Sequence, residues 1–361
     1  MTGNKGKRKL KVVEVSGSNY EMGFQYGSGC PEISKMLDMT YQLFGGREKV
    51  KALMEQFLPM YLPTTEKYAP EIVEEMQGMA AGTRVDFRDI LFLNITYEIS
   101  VPSVMGGCTS FAAAGEATTD GQVIAGQNFD FISPWEDYLL LLKMKPVNEP
   151  GFLAVTAAGC LGLFGLNSAG ISLNLNLLKN QASLTPTGGV PTRVILRKVF
   201  SCESLSDAIT TIAAAEGRAA KNYLLTSAEG DIIDMETTAH DLDIQFPERG
   251  LLTHANYFKA DRFKTADLAP LLLPDSYIRA SRLFQLIESH HGSLSVDVMQ
   301  QLLQDHNNYP ASICRHPDPR APLPLGKMMK TLASIISCPE ENKAWITLGN
   351  PCENEYFEYQ L

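Results

Sequence analysis

The sequence Gly106-Gly107-Cys108 constrains the architecture of this chain more than any other feature. It lies at a junction where the character of the sequence changes. Apolar residues before it recur at helical spacing, whereas short apolar runs after it alternate with tight-turn signals such as Thr119-Asp120-Gly121. A cysteine that follows two glycines at such a junction is poorly placed for a core thiol. Such a position favours a cysteine that begins a new chain after the protein cleaves its own peptide bond.

Cleavage of the Gly107–Cys108 bond would give Cys108 both a nucleophilic thiol and a free α-amino group. A cysteine attacks as its thiolate, and the amino group, with a reference pKa of ~7.7–8.0, can take the thiol proton near neutrality. Glycine at position 107 would allow a strained or positive-φ backbone at the scissile bond, because it has no Cβ. These residues predict a self-cleaving precursor. The alternative is a turn that directs a core cysteine inward.

The spacing of apolar residues predicts mainly helices before Cys108 and mainly strands after it. Helices are expected over residues 18–26, over most of 31–82, from Asp86 onward, and at about 191–200, 204–216, 276–290 and 295–305. Strands are expected at Val12–Val15, Val123–Gln127, Tyr138–Met144, Leu153–Ala157, Ile171–Leu177, Tyr223–Ser227, Ile232–Glu236, Ala333–Ser337 and Ala344–Thr347. We therefore expect an α+β fold in which two antiparallel sheets lie between layers of helices.

Composition limits the partners of the chain. Its 361 residues carry a formal net charge of −10, which argues against nucleic acid or an anionic membrane surface. No apolar run approaches the ~20 residues of a membrane helix, and no secretory signal is recognised. The seven cysteines show no Cys-x-x-Cys spacing, and the six histidines are not arranged around them. We expect a cytoplasmic protein with reduced thiols, no metal ion and no bound cofactor.

Two neighbouring motifs resemble a known family. Gly107–Ser110, followed by Gly126–Phe131, is similar to the acyl-coenzyme A:6-aminopenicillanic acid acyltransferase family of Ntn hydrolases. This family is related more distantly to bile-salt hydrolases and penicillin V acylases. Tyr20–Gly27, Glu75–Gly82 and Ser312–Pro317 also resemble family segments, so the similarity extends over nearly the whole chain. It implies a four-layer αββα sandwich, in agreement with the pattern of helices and strands.

The resemblance also implies roles for individual residues. Cys108 matches the nucleophile, and Asp130 matches an aspartate that bonds and orients the Cys108 amine. Asn256 matches an asparagine whose side-chain amide donates to the oxyanion. Asn176 matches a strand that lines the site, where it would contribute to the oxyanion site or orient its neighbours. Arg315 is a candidate for an orienting cation near Asp130.

Structural alternatives stay open at most of these positions. Asp130 could cap a turn, Asn256 could belong to a turn after a strand, and Arg315 could be a surface residue beside a proline loop. His254 and His316 are interpreted as supporting or surface groups. They matter for a papain-like alternative, in which a histidine would activate Cys108 without any chain break.

The expected reaction is hydrolysis of a linear amide, in an N-acyl amine or N-acyl amino acid, through a thioester on Cys108. The mostly helical residues 1–107 and the nucleophile-bearing residues 108–361 would remain associated after cleavage as parts of one domain. Acyl transfer from an amide or a coenzyme A thioester, with coenzyme A as a substrate only, is the alternative. A non-catalytic relative is a further alternative, and homo-oligomerisation is left open.

Two further expectations concern side chains around the site. Phe111, Phe129, Phe131 and Phe164 would supply an aromatic or alkyl acyl pocket, unless they are ordinary core residues. Isolated carboxylates such as Asp234 and Glu236 look like solvated residues at strand ends.

Overall fold

The computed structural model describes residues 6–99 and 106–361, so residues 100–105, just before the predicted cleavage site, lie outside the described residues. The helices fall into a group before Cys108 and a group after it. The first group is α1 (Asn19–Gly29), α2 (Glu32–Leu43), α3 (Arg47–Tyr68), α4 (Pro70–Thr83), α5 (Phe87–Asn94) and α6 (Thr96–Ile99). The second is α7 (Thr192–Val199), α8 (Leu205–Ala214), α9 (Asp261–Lys264), α10 (Ala269–Leu272), α11 (Asp275–Ser289) and α12 (Val296–Leu302).

The strands form two sheets. One sheet has eight strands in the order β1 (Lys11–Gly17), β4 (Leu139–Pro146), β5 (Phe152–Ala157), β6 (Phe164–Asn167), β7 (Ile171–Leu177), β8 (Lys221–Ser227), β9 (Ile232–Thr237) and β10 (Leu242–Gln245). The other has six strands in the order β11 (Leu251–His254), β2 (Gly107–Ala113), β3 (Ile124–Ile132), β12 (Met329–Cys338), β13 (Lys343–Leu348) and β14 (Phe357–Gln360).

The layers are helices, sheet, sheet, helices, which confirms the αββα sandwich. Helix α1 packs on β1 and β4, with α4 against α1, while α8 covers β8 on the same side. The two sheets face each other where β2 and β3 contact β7, and α11 and α12 cover the outer face of the six-stranded sheet. One detail differs from the expectation of purely antiparallel sheets, because β1 pairs with β4 in parallel.

All the predicted strands are present, but β2, β6, β10, β11 and β14 are not among the predictions. Apart from β2, each of these strands has only four residues, which is too short for period-two alternation to be recognised. Local signals mark the starts of three helices: Ser18 forms a capping box at α1, Asp86 caps α5, and Pro70 occupies the first turn of α4.

The main hydrophobic core draws on both sides of Cys108. Met22 and Phe92, from helices before it, are buried in the same cluster as Leu153 and Leu173, from strands after it. None of the helices within residues 6–99 and 106–361 combines the length and the apolar character that a bilayer-spanning helix needs.

The backbone at the predicted cleavage site differs from the expectation. Gly107 is the first residue of β2, and neither Gly106 nor Gly107 has a positive φ. The space at position 107 is tight instead, because a Cβ there would lie 3.0 Å from Asp130 Oδ2 and 3.3 Å from Asp130 Cβ. The expected positive-φ geometry is therefore wrong, and the absent side chain allows close approach to Asp130.

Candidate active site

The pairing of β2 with β3 brings the two predicted motifs together. In this antiparallel register, Gly107 lies opposite Asp130 and Cys108 lies opposite Phe129. Cys108 is buried, with 2% of its surface exposed. Burial raises the pKa of the Cys108 thiol above its usual value, and the negative charge of Asp130 adds to this effect, while Arg279 and Arg315 oppose it. In the uncut chain, the thiol is therefore held in its neutral form.

Asp130 is completely buried in the middle of β3, so it does not cap a turn. Its carboxylate accepts hydrogen bonds from Thr331 Oγ1 at 2.7 Å and from Arg315 Nε at 3.1 Å. Burial raises the pKa of the Asp130 carboxyl, and the charges of Arg315 and Arg279 act against that shift. The structure thus brings Arg315 next to Asp130, as the sequence predicts.

Asn256 follows β11 and contacts the backbone of Cys108. Its Oδ1 accepts the Cys108 N–H at 2.8 Å, and its Nδ2 donates to the carbonyl oxygen of Leu177 at 3.0 Å. The group that faces Cys108 in the uncut chain is therefore the amide oxygen rather than the amide donor expected at an oxyanion. The proximity of Asn256 to Cys108 is observed, while its role as an oxyanion donor remains a prediction for the cleaved chain.

Asn176 on β7 reaches the site through a neighbour. Its Oδ1 accepts hydrogen bonds from Ser110 Oγ at 2.7 Å and from Asn222 Nδ2 at 3.2 Å. Ser110 lies two residues after Cys108 on β2. Within the described residues, the buried Nδ2 of Asn176 has no hydrogen-bond partner. Asn176 therefore lies in a polar layer between the two sheets rather than in direct contact with Cys108.

Arg279 is the main residue of the site that sequence analysis misses. It lies on α11, is buried, and donates through Nη1 to the carbonyl oxygen of Cys108 at 2.6 Å and to Thr109 Oγ1 at 2.7 Å. Its Nη2 donates to Asn256 Oδ1 at 3.0 Å. The guanidinium thus contacts the backbone of Cys108 and orients Asn256.

Asp275 connects the two arginines. Its Oδ2 accepts from Arg279 Nε at 2.7 Å and also contacts Arg315 Nη2. Burial works against ionisation of Asp275, but Arg279 and Arg315 outweigh it, so the pKa of this carboxyl lies below its ordinary value. Asp275 and Arg279 have i,i+4 spacing in α11, a signal that usually indicates an exposed pair. That signal alone could not identify them as part of a site.

The histidines of the papain-like alternative are engaged elsewhere. His254 is buried, with Nε2 2.8 Å from Glu236 Oε1 and Nδ1 2.7 Å from the carbonyl oxygen of Ala255. Glu236 and the neighbouring Asp234 are also buried, so the expectation that they are solvated is wrong. His316 Nε2 contacts cysteines other than Cys108, at 3.4 Å for the closer one. These contacts do not support a Cys–His pair at Cys108.

Two cavities share Tyr97 in their walls, and the smaller one is lined by Cys108. A cavity of about 10 Å³ is lined by Cys108, Phe129, Phe164 and Tyr97, among others. Tyr97 also lines a larger cavity of about 350 Å³. Two of the four predicted pocket phenylalanines therefore face the small cavity, whereas Phe111 packs in a separate cluster with α11.

Basic residues line the larger cavity. Lys179 and Lys221 both contribute to its wall, and burial lowers the pKa of each ammonium group, to about 8 for Lys221. Within the described residues, neither ammonium group has a carboxylate hydrogen-bond partner, although the charge of Glu98 partly offsets the effect of burial. The cavity therefore presents two incompletely neutralised cations.

The αββα sandwich, with a cysteine at the start of an inner strand and a buried aspartate opposite, defines an Ntn-hydrolase fold. The family model described as acyl-coenzyme A:6-aminopenicillanic acid acyl-transferase matches residues 117–353, and the chain belongs to this family. It is 30% identical over 346 residues to the acyl-coenzyme A:6-aminopenicillanic-acid-acyltransferase 40 kDa form of Emericella nidulans, covering 94% of this chain and 92% of that protein.

Solved structures with a similar fold include hydrolases. One is a Caenorhabditis elegans N-acylethanolamine-hydrolyzing acid amidase ortholog, with a TM-score of 0.45, 13% identity, and coverage of 64% of this chain and 93% of that one. Another is a conjugated bile acid hydrolase from Clostridium perfringens, with a TM-score of 0.46, 14% identity, and coverage of 70% and 97%.

Proposed function

We propose that the chain is a self-processed cysteine amidohydrolase that cleaves a linear amide through a thioester on Cys108. One observation carries this proposal: the Cys108 nitrogen, the future free amine, is already hydrogen-bonded to Asn256 Oδ1, and Gly107 lies against Asp130. A purely structural cysteine would need neither partner. The same arrangement makes a non-catalytic relative the weaker interpretation.

The first reaction is cleavage of the precursor. The Cys108 thiol attacks the carbonyl carbon of Gly107, the Gly107–Cys108 amide bond breaks, and the acyl group moves to sulfur as a thioester. Water then hydrolyses the thioester, which leaves a carboxylate on Gly107 and a free amine and thiol on Cys108. Arg279, which donates to the Cys108 carbonyl oxygen, and Asn256 hold this residue in place during the reaction.

The second reaction is turnover of an external amide. The free Cys108 amine takes the thiol proton and passes it to the departing amine of the substrate, while the acyl group forms a thioester with sulfur. Water then releases the acid. Asp130, held by Arg315 and Thr331, is positioned to orient the charged form of the amine. In this interpretation, Arg315 acts through Asp130.

The cavity next to Tyr97 favours an anionic substrate. Lys179 and Lys221 would pair with a carboxylate, which an N-acyl amino acid carries and a simple N-acyl amine lacks. The small apolar cavity at Phe129 and Phe164 would receive the end of the acyl group nearest the amide. We therefore favour an N-acyl amino acid as substrate.

Intact mass of the purified protein tests the processing step. The wild type is expected to give two chains, with the larger beginning at Cys108, whereas Cys108→Ala stays uncut. Cys338→Ser, which changes a buried cysteine in another part of the fold, serves as the control and is expected to be cut normally. An uncut wild type after prolonged incubation, or a cut Cys108→Ala chain, would refute the mechanism.

A matched substrate pair tests the substrate class. Lys179→Met and Lys221→Met are expected to raise KM at least about tenfold for an N-acyl amino acid, because each removes a charge-assisted contact. KM for the corresponding neutral N-acyl amine should stay the same. Equal changes for both substrates would argue against carboxylate recognition by these lysines.

Acyl transfer is the second candidate, and the similarity to the Emericella nidulans acyltransferase supports it. The steps are the same up to the thioester, after which an amine replaces water. Incubating the cleaved enzyme with an acyl-coenzyme A thioester and an amine acceptor distinguishes the two reactions. A new amide product that forms faster than the free acid would favour the transferase.

A further inference from the structure

Four side chains on one side of the molecule bring their metal-binding atoms together. Nε2 of His306, Sγ of Cys314, Nε2 of His316 and Sγ of Cys352 all lie within 4.8 Å of one another. We propose that this cluster is a tetrahedral Cys₂His₂ site for Zn²⁺, which fixes the loop that carries Arg315. The expectation of no metal site rests on the separation of these residues in sequence. In the folded chain they lie close together in space.

The distances within the cluster match tetrahedral coordination. With bonds of ~2.3 Å to sulfur and ~2.0–2.1 Å to nitrogen, the ligand atoms around one zinc ion should be ~3.3–3.8 Å apart. The two sulfur atoms are 3.5 Å apart, and the two Nε2 atoms are 3.1 Å apart. His316 Nε2 lies 3.7 Å from Cys314 Sγ and 3.4 Å from Cys352 Sγ. Four edges of the tetrahedron are thus close to the required lengths.

The set of donors favours zinc and a structural role. Two thiolates and two imidazoles suit a borderline-soft divalent ion, and hard cations such as Mg²⁺ and Ca²⁺ prefer oxygen ligands. Four protein ligands would complete a tetrahedral shell and leave no open position for substrate. Binding would deprotonate Cys314 and Cys352 and release their protons, so metal affinity should fall as pH decreases.

Neighbouring groups support the ligands. Asn350 Nδ2 lies 3.4 Å from Cys314 Sγ, the geometry of an N–H···S hydrogen bond. His316 Nδ1 lies 3.9 Å from the Glu353 carboxylate, on the side of the ring opposite the cluster. A carboxylate behind a ligating imidazole commonly fixes its orientation and raises its basicity.

The cluster lies next to Arg315, so a bound metal ion would affect the position of this residue. Arg315 lies between Cys314 and His316 in sequence, and its Nε donates to Asp130. Asn350 Nδ2 also donates to the Arg315 carbonyl oxygen at 2.7 Å. The Asn350 side chain therefore contacts both a proposed ligand, Cys314, and the backbone of the loop that carries Arg315. A metal ion would fix this loop to the turn that carries Cys352 and would thereby keep Arg315 against Asp130. This consequence for activity rests on the proposed function, but the existence of the site does not.

A disulfide between Cys314 and Cys352 is the competing outcome, since their sulfur atoms are 3.5 Å apart. It would join the same two segments but would leave His306 and His316 without a role. A disulfide lowers the intact mass by two hydrogens and gives a linked peptide after digestion, whereas zinc leaves both thiols free once it is chelated. The two outcomes are therefore distinguishable in one sample.

Metal content of the full-length protein, measured by elemental and native mass spectrometry after purification without added metal, tests the proposal. The wild type is expected to hold stoichiometric zinc. His306→Asn and Cys352→Ser should lose it, and Cys338→Ser and His290→Asn, which lie outside the cluster, should keep it. His306 is exposed, so His306→Asn is expected to fold even if Cys352→Ser does not.

Two further measurements complete the test. Replacement of the metal by Co²⁺ should give the visible absorption bands of tetrahedral thiolate coordination in the wild type, Cys338→Ser and His290→Asn, but not in His306→Asn or Cys352→Ser. A strong chelator should lower the melting temperature of the wild type and leave that of His306→Asn unchanged. Zinc retained equally by His306→Asn and Cys352→Ser, or a metal-free wild type with a Cys314–Cys352 disulfide, would overturn the proposal. Neither result depends on whether Cys108 cleaves the chain.

Discussion

Arg279 organises the polar groups around Cys108 because its guanidinium has three functions at once. It contacts the Cys108 carbonyl oxygen, orients Asn256 Oδ1, and shares the carboxylate of Asp275 with Arg315. A planar group with several fixed donors can do this, whereas a lysine ammonium cannot reproduce the same geometry. The arrangement of the candidate site therefore depends on a residue that lies far from Cys108 in sequence.

Arg279→Met should slow self-cleavage by at least about 10²-fold, because small displacements of a reacting group cost about that much. The measurement is the time course of chain cleavage by intact mass. Arg282→Met, one turn further along α11, is the control; Arg282 pairs with Asp305 and is expected to be dispensable for cleavage. A folded Arg279→Met chain that is cut at the wild-type rate would contradict the prediction.

Lys221 should make the stability of the protein depend on pH. Burial lowers its pKa from 10.5 to about 8, so at neutral pH a buried charge destabilises the folded state by up to about 3 kcal/mol. Between pH 8 and 10.5, Lys221 is protonated to a greater extent in the unfolded chain than in the folded protein. The free energy of unfolding therefore rises with pH over this range. Below pH 8 both states carry the proton, and the destabilisation is constant.

Lys221→Met removes this charge and keeps most of the side-chain volume. It should be more stable than the wild type at pH 7, with a difference in the free energy of unfolding that shrinks as pH rises from 8 towards 10.5. Denaturant unfolding at several pH values measures this difference. A difference that does not change with pH would show that Lys221 is not responsible.

At the scale of elements, helices α1 and α4 cross at closely packed glycines. A Cβ at Gly23 would lie 1.9 Å from the Glu75 carbonyl oxygen, and one at Gly78 would lie 2.1 Å from the Tyr20 carbonyl oxygen. Backbone atoms at these distances cannot move aside without separating the helices. The Gly-x-x-x-Gly pattern in α1 is thus a packing surface, and it places α1 between α4 and the edge of the eight-stranded sheet.

Gly23→Ala should therefore destabilise the protein by about 3 kcal/mol or more. Gly29→Ala, in the last turn of the same helix, is the matched control, because no atom lies within 4 Å of a Cβ there and φ is not positive. It should be neutral or stabilising by up to about 1 kcal/mol, as expected from helix propensity. Equal stabilities of the two variants would show that the α1–α4 contact can relax.

At the scale of the whole molecule, buried contacts connect the segments on either side of Cys108. Arg197 Nε on α7 donates to Glu75 Oε2 on α4 at 2.8 Å, with both side chains almost fully buried. Arg193, also buried, donates to the carbonyl oxygen of Leu93. Separating the segments would expose a shared hydrophobic core and remove the arginine partner of Glu75, at a cost of several kcal/mol.

The cleaved protein should therefore remain a single particle that contains both chains. Native mass spectrometry should show the two chains together at the mass of the uncut protein plus one water, and denaturant should be required to separate them. Arg197→Met is expected to lower the denaturant concentration at which they separate, because it leaves Glu75 buried without its partner. Chains that separate in non-denaturing buffer would contradict this prediction.

Local sequence was sufficient for many features of the protein. Helix starts at Ser18 and Asp86 depend on neighbouring residues, and the strand over Ile171–Leu177 was predicted with its observed bounds. Cys108, the proposed nucleophile, and Asp130 belong to adjacent strands of one hairpin, so two short motifs were enough to predict that they lie close together. Features of this kind depend on residues that are close in sequence.

The tertiary structure decided the remaining features. Arg279 contacts Cys108 only because α11 packs across β2, and Glu236 is buried only because a sheet surrounds it and His254 pairs with it. The cluster that includes Cys314 and Cys352 unites ligands from separate loops. The sequence by itself determined most of the longer elements and made Cys108 the candidate nucleophile, since propensity, capping and alternation act over a few residues. Only folding could assign partners to buried charges, because burial and distance are properties of the packed chain.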